Sequence, residues 1–244
     1  MRDNSLLSRK ARQLSRLGQR AVYGQSLLEI ASDNPAIFAI SADLGNSSGL
    51  SRFRFNYPDR FLNIGIAEQH MIGFASGLAS CGFNVFCSSF APFITMRACE
   101  QVRMNLAYMQ SNVKIVSIGS GVSMGYLGNS HFGLEDISIV RSLSNIPIIC
   151  PADCLQLQSI LSFLSTYNGP AYVRLSGVAP CISVYSELPS FNLNSFDDLL
   201  PGSDALVLSY GSVLSECIQA SSILKSHSLS IRVINVSSLH SLSA

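Results

Sequence analysis

The sequence predicts an α/β fold built on a largely parallel sheet with helices on both faces, and three observations carry that prediction. Short apolar runs alternate with amphipathic ones along most of the chain, as they must where parallel strands are joined by helical crossovers. At 244 residues with 48% hydrophobic and 13% charged side chains, the chain can bury a substantial core and has the composition of one large domain or one and a half. A closing stretch of strand, helix and strand stands apart from the rest, behind a break in the pattern.

In chain order, RAVYGQSLLEIASDNP reads as a helix closed by Asp33, Asn34 and Pro35. IFAISAD and RFLNIGI follow as strands, then a Gly- and Ala-rich helical segment from Gln69 to Cys81, then the strand NVFCSSF. Ile72 to Ile94 carries no charge and could pass for a membrane span, but Gly82 cuts it where the helical pattern gives way to a strand-like one. Two buried elements explain it better than one span. MRACEQVRMNLAYMQ and CLQLQSILSFLSTY are amphipathic, and KIVSIG, IPIICPAD and AYVRLS are further strands. The pattern loosens in SELPSFNLNSFDDLLPGS, with two prolines and several turn formers, so residues 186–202 read as a linker after a domain spanning 1–185. Residues 203–244 then supply ALVLSYG, a helix from Ser212 to Lys225 and IRVINV, about one βαβ unit. One such unit cannot cover both faces of its own sheet, so it must pack on something else.

A net charge of +1 and a pI near 7.6 exert no general pull on nucleic acid. The charge is uneven: the first twenty residues hold six basic side chains against Asp3 alone, a net of +5, and the other 224 carry −4. That opening admits a second reading, as a transit peptide or membrane-surface helix, although it runs into the first helix without a cleavage-like break. With no secretory signal in view, the cytoplasm is the expected compartment. The seven cysteines are odd in number and mostly in apolar settings, which suits reduced core thiols. Cys150 and Cys154 are four apart, unlike the paired ligands of zinc ribbons or redox motifs.

The most informative residue is Glu68, within FLNIGIAEQHMIGFASGLA. A lone acid stands there between an apolar strand-like segment and a small-residue helix. Little water should reach it, so its pKa is expected to be raised, and such a carboxyl suits proton exchange with a ring nitrogen. The alternative is an acid that complements the dipole of the helix it opens. GIAEQHM with its flanks resembles the activating-glutamate segment of the thiamine-diphosphate-dependent transketolases, in their pyrimidine-binding domain. The resemblance runs from about Arg20 to Val236 and is carried by further segments in order. ADLG, at Ala42 to Gly45, places Asp43 where relatives keep an acid near the cofactor. In SSFAPFITMRACEQVR, Phe90 and Phe93 match positions that pack on the aminopyrimidine ring, although an i, i+3 apolar pair is also ordinary core. SMGYLGNSHFGLEDISIVRS places His131 at the family's active-site histidine and Glu135 at the acid four residues on, and GPAYVRLSG, with Arg174, closes the match.

The resemblance implies the fold of a thiamine diphosphate pyrimidine-binding domain followed by an incomplete C-terminal α/β domain. It implies that Glu68 hydrogen-bonds the pyrimidine ring, that Asp43, Phe90 and Phe93 help bind the cofactor, and that His131, Glu135 and Arg174 meet a small sugar substrate. His131, with an ordinary pKa near neutral, would give or take a proton there. His70 is equally well a structural residue. The family holds magnesium and diphosphate in a GDG segment, and no GDG occurs here. The chain therefore resembles the C-terminal subunit of a split transketolase, expected as a homodimer within a heterotetramer whose N-terminal subunit supplies the diphosphate and Mg2+ site.

Three family positions are altered: a substrate-binding histidine is Gly119, a hydroxyl-reading acid is Leu127, and a phosphate-binding arginine is Gly177. Losing a bidentate cation and such an acid should weaken ordinary pentose phosphates, so a specialised sugar fits better. A deoxyxylulose-phosphate-synthase-like protein or the beta subunit of a 2-oxo-acid dehydrogenase is the neighbouring reading. A catalytically silent assembly partner is the reading from another class, and Glu68 argues against it.

Overall fold

The computed structural model describes residues 8–176 and 180–239; Gly177, Arg2, Asp3 and the last five residues lie outside them. Helix α1 is Arg9–Asp33, opened by Ser8, whose Oγ accepts from the Ala11 amide at 3.1 Å. At Gly18, φ is +76°, so the basic opening and the apolar remainder are two helical pieces across a kink. Then come β1 (Ile37–Ser41), α2 (Ser51–Asn56), β2 (Phe61–Asn63), α3 (Glu68–Ser80), β3 (Asn84–Phe90), α4 (Cys99–Val102) and β4 (Val113–Ile118). The domain continues through α5 (Asp136–Ser142), β5 (Ile148–Ile149), α6 (Cys154–Leu164) and β6 (Ala171–Arg174). The expected helix over MRACEQVRMNLAYMQ is shorter than its pattern suggests, because α4 is flanked by wider π-helical turns at Phe93–Arg97 and Arg103–Tyr108.

Six strands pair in the order β2-β1-β3-β4-β6-β5, every neighbour parallel. Alternation along each strand divides the core into two layers. Ala39, Phe86, Val116 and Val173 face α1, α2 and α6, while Ile40, Val85, Cys87, Ile115 and Tyr172 face α3, the segment 94–107 and α5. The uncharged stretch Ile72 to Ile94 is helix α3 followed by strand β3, as expected, and among the described residues no helix is long and apolar enough to cross a membrane. On the α1 side the backbone packs without side chains between: a Cβ at Gly24 would meet the Gly49 carbonyl oxygen at 1.8 Å, and one at Gly49 would meet the Arg20 oxygen at 2.3 Å. Only a pair of glycines permits this approach of α1 to the loop after β1.

The presumed linker is partly structured. Asp197–Leu200 forms β7, an antiparallel edge strand that a sequence of two acids and two leucines does not announce. With β8 (Ala205–Ser209), α7 (Leu214–Ser226) and β9 (Ile231–Asn235) it makes a second sheet of order β7-β9-β8. As expected, this unit leans on the rest of the chain: Leu214, Ile218, Ile231 and Val233 share a core with Ala152 and Val184. The junction is polar and specific. Buried Asp153 caps α6 through the Gln156 amide at 2.9 Å and takes the Val184 and Tyr185 amides, each at 2.8 Å. Burial raises the Asp153 carboxyl above its usual range, and those amides pull it back.

Lys114, wholly buried at the start of β4, donates to Asn112 Oδ1 and to the Gly169 carbonyl at 2.8 Å. Burial lowers its pKa from 10.5 to about 7. Between those values the unfolded chain holds a proton that the folded chain has released, so stability rises with pH across that window. Relative to Lys114→Met, the wild type should gain about 2 kcal/mol between pH 7 and pH 9 in urea unfolding. Parallel pH profiles for the two proteins would refute the assignment.

Candidate active site

The site lies where the strands end. Parallel sheets of this kind bind ligands in the crevice beyond their carboxyl edge, where successive crossovers leave in opposite directions, and here β1 lies between β2 and β3. Glu68, first residue of α3, is 1% exposed. It is not the lone acid of the sequence reading. Its Oε1 accepts from Ser89 Oγ at 3.1 Å and its Oε2 from Arg97 Nη1 at 2.7 Å. Arg97, with a side chain 46% exposed, also places its guanidinium carbon 4.5 Å from the centre of the Phe93 ring, within cation–π range.

Phe93 belongs to an aromatic trio. The rings of Phe90 and Phe93 stand edge-on at 5.8 Å, and the His131 imidazole stands edge-on to both, at 5.5 Å and 5.2 Å. His131 Nδ1 also lies 3.0 Å from Ser130 Oγ. Arg97 therefore joins the buried carboxylate to the aromatic wall, and Glu68, Phe90, Phe93 and His131 form one constellation.

The other expected residues lie around it. Asp43 sits two residues beyond β1 with φ +57°, a conformation uncommon for a residue with a side chain. Its Oδ1 accepts from Asn63 Nδ2 at 3.0 Å, and its amide donates to Asn63 Oδ1 at 2.9 Å. It lines a polar cavity of about 240 Å³ with Asn46, Ser51, Arg54 and Phe61. Glu135 is exposed and precedes α5, whereas its neighbour Asp136 is buried. Arg174 does not turn toward the aromatic trio: its Nε donates to Asp136 Oδ2 at 2.8 Å and its Nη2 to the Gly133 carbonyl at 3.2 Å. His70 is exposed on α3, its ring 6.1 Å from that of Phe74.

Sequence reasoning missed Arg97, Ser89 and Asp136. The first carried a signal: a cation four residues after Phe93 in the otherwise apolar FITMRAC lies on the helical face of that ring.

A buried acid at a helix N-terminus, a pair of phenylalanine rings and a histidine thus meet at the carboxyl edge of a parallel sheet. The chain belongs to the transketolase pyrimidine-binding domain family, whose model, "Transketolase, pyrimidine binding domain", matches residues 16–177. It is 34% identical over 223 residues to the putative transketolase C-terminal section of Methanocaldococcus jannaschii, covering 91% of this chain and 71% of that protein. It is also 34% identical over 217 residues to a 6-deoxy-6-sulfo-D-fructose transketolase subunit of Clostridium sp. (strain MSTE9), covering 89% and 67%. A solved structure described as a split gene transketolase, inactive beta4 tetramer, superposes with a TM-score of 0.83 at 33% identity, over 91% of this chain and 72% of that one.

Arg97→Leu leaves the Glu68 carboxylate buried with Ser89 as its remaining partner and should cost about 1–3 kcal/mol in urea unfolding. In a Glu68→Gln background the same replacement should cost clearly less. An equal loss in both would mean that the ion pair is not its source.

Proposed function

We propose that this chain is the cofactor-activating subunit of a split, cytoplasmic transketolase-type enzyme that transfers a two-carbon ketol unit between sugars. The observation that carries the reading is the Glu68 carboxylate, buried at the start of α3 and tied through Arg97 to the Phe93 ring. The residues present fit the pyrimidine half of thiamine diphosphate, since an acceptor for a ring nitrogen stands beside apolar ring faces. When bound, that cofactor supplies the nucleophilic carbon that carries the ketol unit. Glu68 holds or releases a proton at the ring nitrogen, Phe90 and Phe93 hold the ring and exclude water, and His131 exchanges a proton with a substrate oxygen. Asp43 borders the cofactor from the end of β1, and the exposed Glu135 is the second acid available to a sugar hydroxyl.

Mg2+ and the diphosphate are assigned to an N-terminal partner subunit. The sequence has no GDG segment, and among the described residues no group of three His, Cys, Asp or Glu side chains is placed to hold a metal. A homodimer within a heterotetramer is supported by apolar side chains exposed on one stretch of the surface, Phe74 on α3 and Met104 and Tyr108 on the π-helical turn after α4. A specialised sugar is favoured by Gly119 and Leu127, which stand where ordinary transketolases read their substrate, and by the sulfonated sugar named for one relative.

Glu68→Gln keeps the shape and removes the titratable group, so turnover of the reconstituted enzyme should fall by about 10²–10⁴, equivalent to ~2.7–5.4 kcal/mol of barrier. Near-normal turnover would exclude the activating role. Calorimetry of the single chain with thiamine diphosphate and magnesium should detect weak binding or none, with tight binding appearing once a GDG-bearing partner is added. Submicromolar binding by the single chain would place the diphosphate site here after all.

A further inference from the structure

Asp136 and Arg174 form an ion pair beneath the loop that carries His131. Asp136 is 1% exposed, and its Oδ2 accepts from both Arg174 Nε and the Tyr172 hydroxyl, each at 2.8 Å. The other end of the guanidinium reaches the Gly133 carbonyl at 3.2 Å. That same carbonyl accepts the Gly121 amide at 2.8 Å, and the Gly133 amide returns to the Gly121 carbonyl at 2.9 Å. Gly121 and Gly133 thus close the base of a loop whose two short 3₁₀ turns, Gly125–Leu127 and Asn129–His131, end on the histidine. The base has little freedom to slide: a Cβ on Gly133 would lie 2.6 Å from that of Ala91, just past β3.

We propose that the Asp136–Arg174 pair is a positioning device for His131, acting through the Gly133 carbonyl to hold the imidazole against Phe90 and Phe93. A buried ion pair seldom surpasses an apolar pair in stability, so its presence asks for another reason. The guanidinium fork offers one, because it addresses a carboxylate and a backbone carbonyl from a single rigid plane, which an ammonium cannot. Gly133 is two residues from His131, so an error at the loop base becomes an error at the ring. The inference rests on the reading of His131 as a group that touches substrate.

The test uses the enzyme reconstituted with its partner subunit, with phosphorylated and unphosphorylated ketose donors. Arg174→Met should lower kcat by about 10²-fold, the order expected for a misplaced reacting group, alike for both donors and with little change in KM. Arg174→Lys should recover only part of the loss. In a His131→Ala background, Arg174→Met should add almost nothing, since both act at one point. A loss confined to KM for phosphorylated donors would mean that Arg174 touches substrate directly, and full additivity with His131→Ala would equally overturn the proposal. A His131→Ala enzyme with unchanged turnover would instead remove the parent reading of His131, and this inference with it. Should Arg174→Met fail to fold, Tyr172→Phe keeps the ion pair and loosens Asp136, with a smaller drop in kcat that again vanishes without His131. Additivity there would overturn the proposal too. Nitrogen-15 spectra of the full chain give a reading independent of turnover: the His131 ring resonances should move in Tyr172→Phe while those of His70 and His227 stay. Unmoved His131 resonances would contradict the coupling.

Discussion

Parallel pairing of all six strands in the main sheet is the constraint on which the rest depends. Because each crossover returns the chain to the same starting edge, every strand delivers its carboxyl end to the opposite one. Asp43 follows β1, Glu68 opens the helix after β2, Phe90 ends β3, the His131 loop follows β4 and Arg174 ends β6. Residues up to 131 positions apart in the chain thereby meet at one edge. Apolar layers pack on both faces of the sheet, so these strand ends are held by the core and the loops have only short distances to span.

At that edge two buried carboxylates are paired with arginines. Glu68 is compensated by Arg97, and Asp136 by Arg174. The two pairs differ in how closed they are, since the Arg97 side chain is 46% exposed and that of Arg174 is 17% exposed. The first pair is the more open, so its partly solvated cation can adjust. The second lies under a loop, where a rigid fork serves geometry. Between them stands the trio of Phe90, Phe93 and His131, whose edge-on contacts give the site its apolar wall. Most of the stability comes from the two apolar layers on either side of the sheet.

The main domain was largely legible because all its strands but β2 are almost wholly buried, and burial writes itself into sequence as continuous apolar runs. All six runs proposed as strands of the main sheet are strands, and the unit from ALVLSYG to IRVINV has the expected order of strand, helix and strand. What escaped was set by tertiary contact. β7 is built from Asp197, Asp198, Leu199 and Leu200, an edge segment whose pairing comes from β9. The π-helical turns around α4 interrupt an amphipathic pattern that reads as one helix. At the site, Glu68 was legible as an isolated acid in an apolar run, but its partner Arg97 lies 29 residues away. Glu135 and Asp136 are adjacent acids, and the turn into α5, which no local pattern records, decides which one is buried.

The contact of Gly24 with Gly49 constrains how this sequence can change over time. A methyl group at either position meets backbone, which cannot rotate out of the way as a side chain would, and Gly49 also has φ +79°. Neither position can therefore drift alone: a larger residue at one would need α1 and the loop after β1 to separate by more than an ångström, and compensation at the other is impossible because it is already glycine. That loop carries Asp43 at its start and Leu50 at its buried end. Substrate preference can thus diversify through side chains around the crevice while the spacing between α1 and this loop stays the same, as in a tool whose bits are exchanged but whose chuck is cast in one piece.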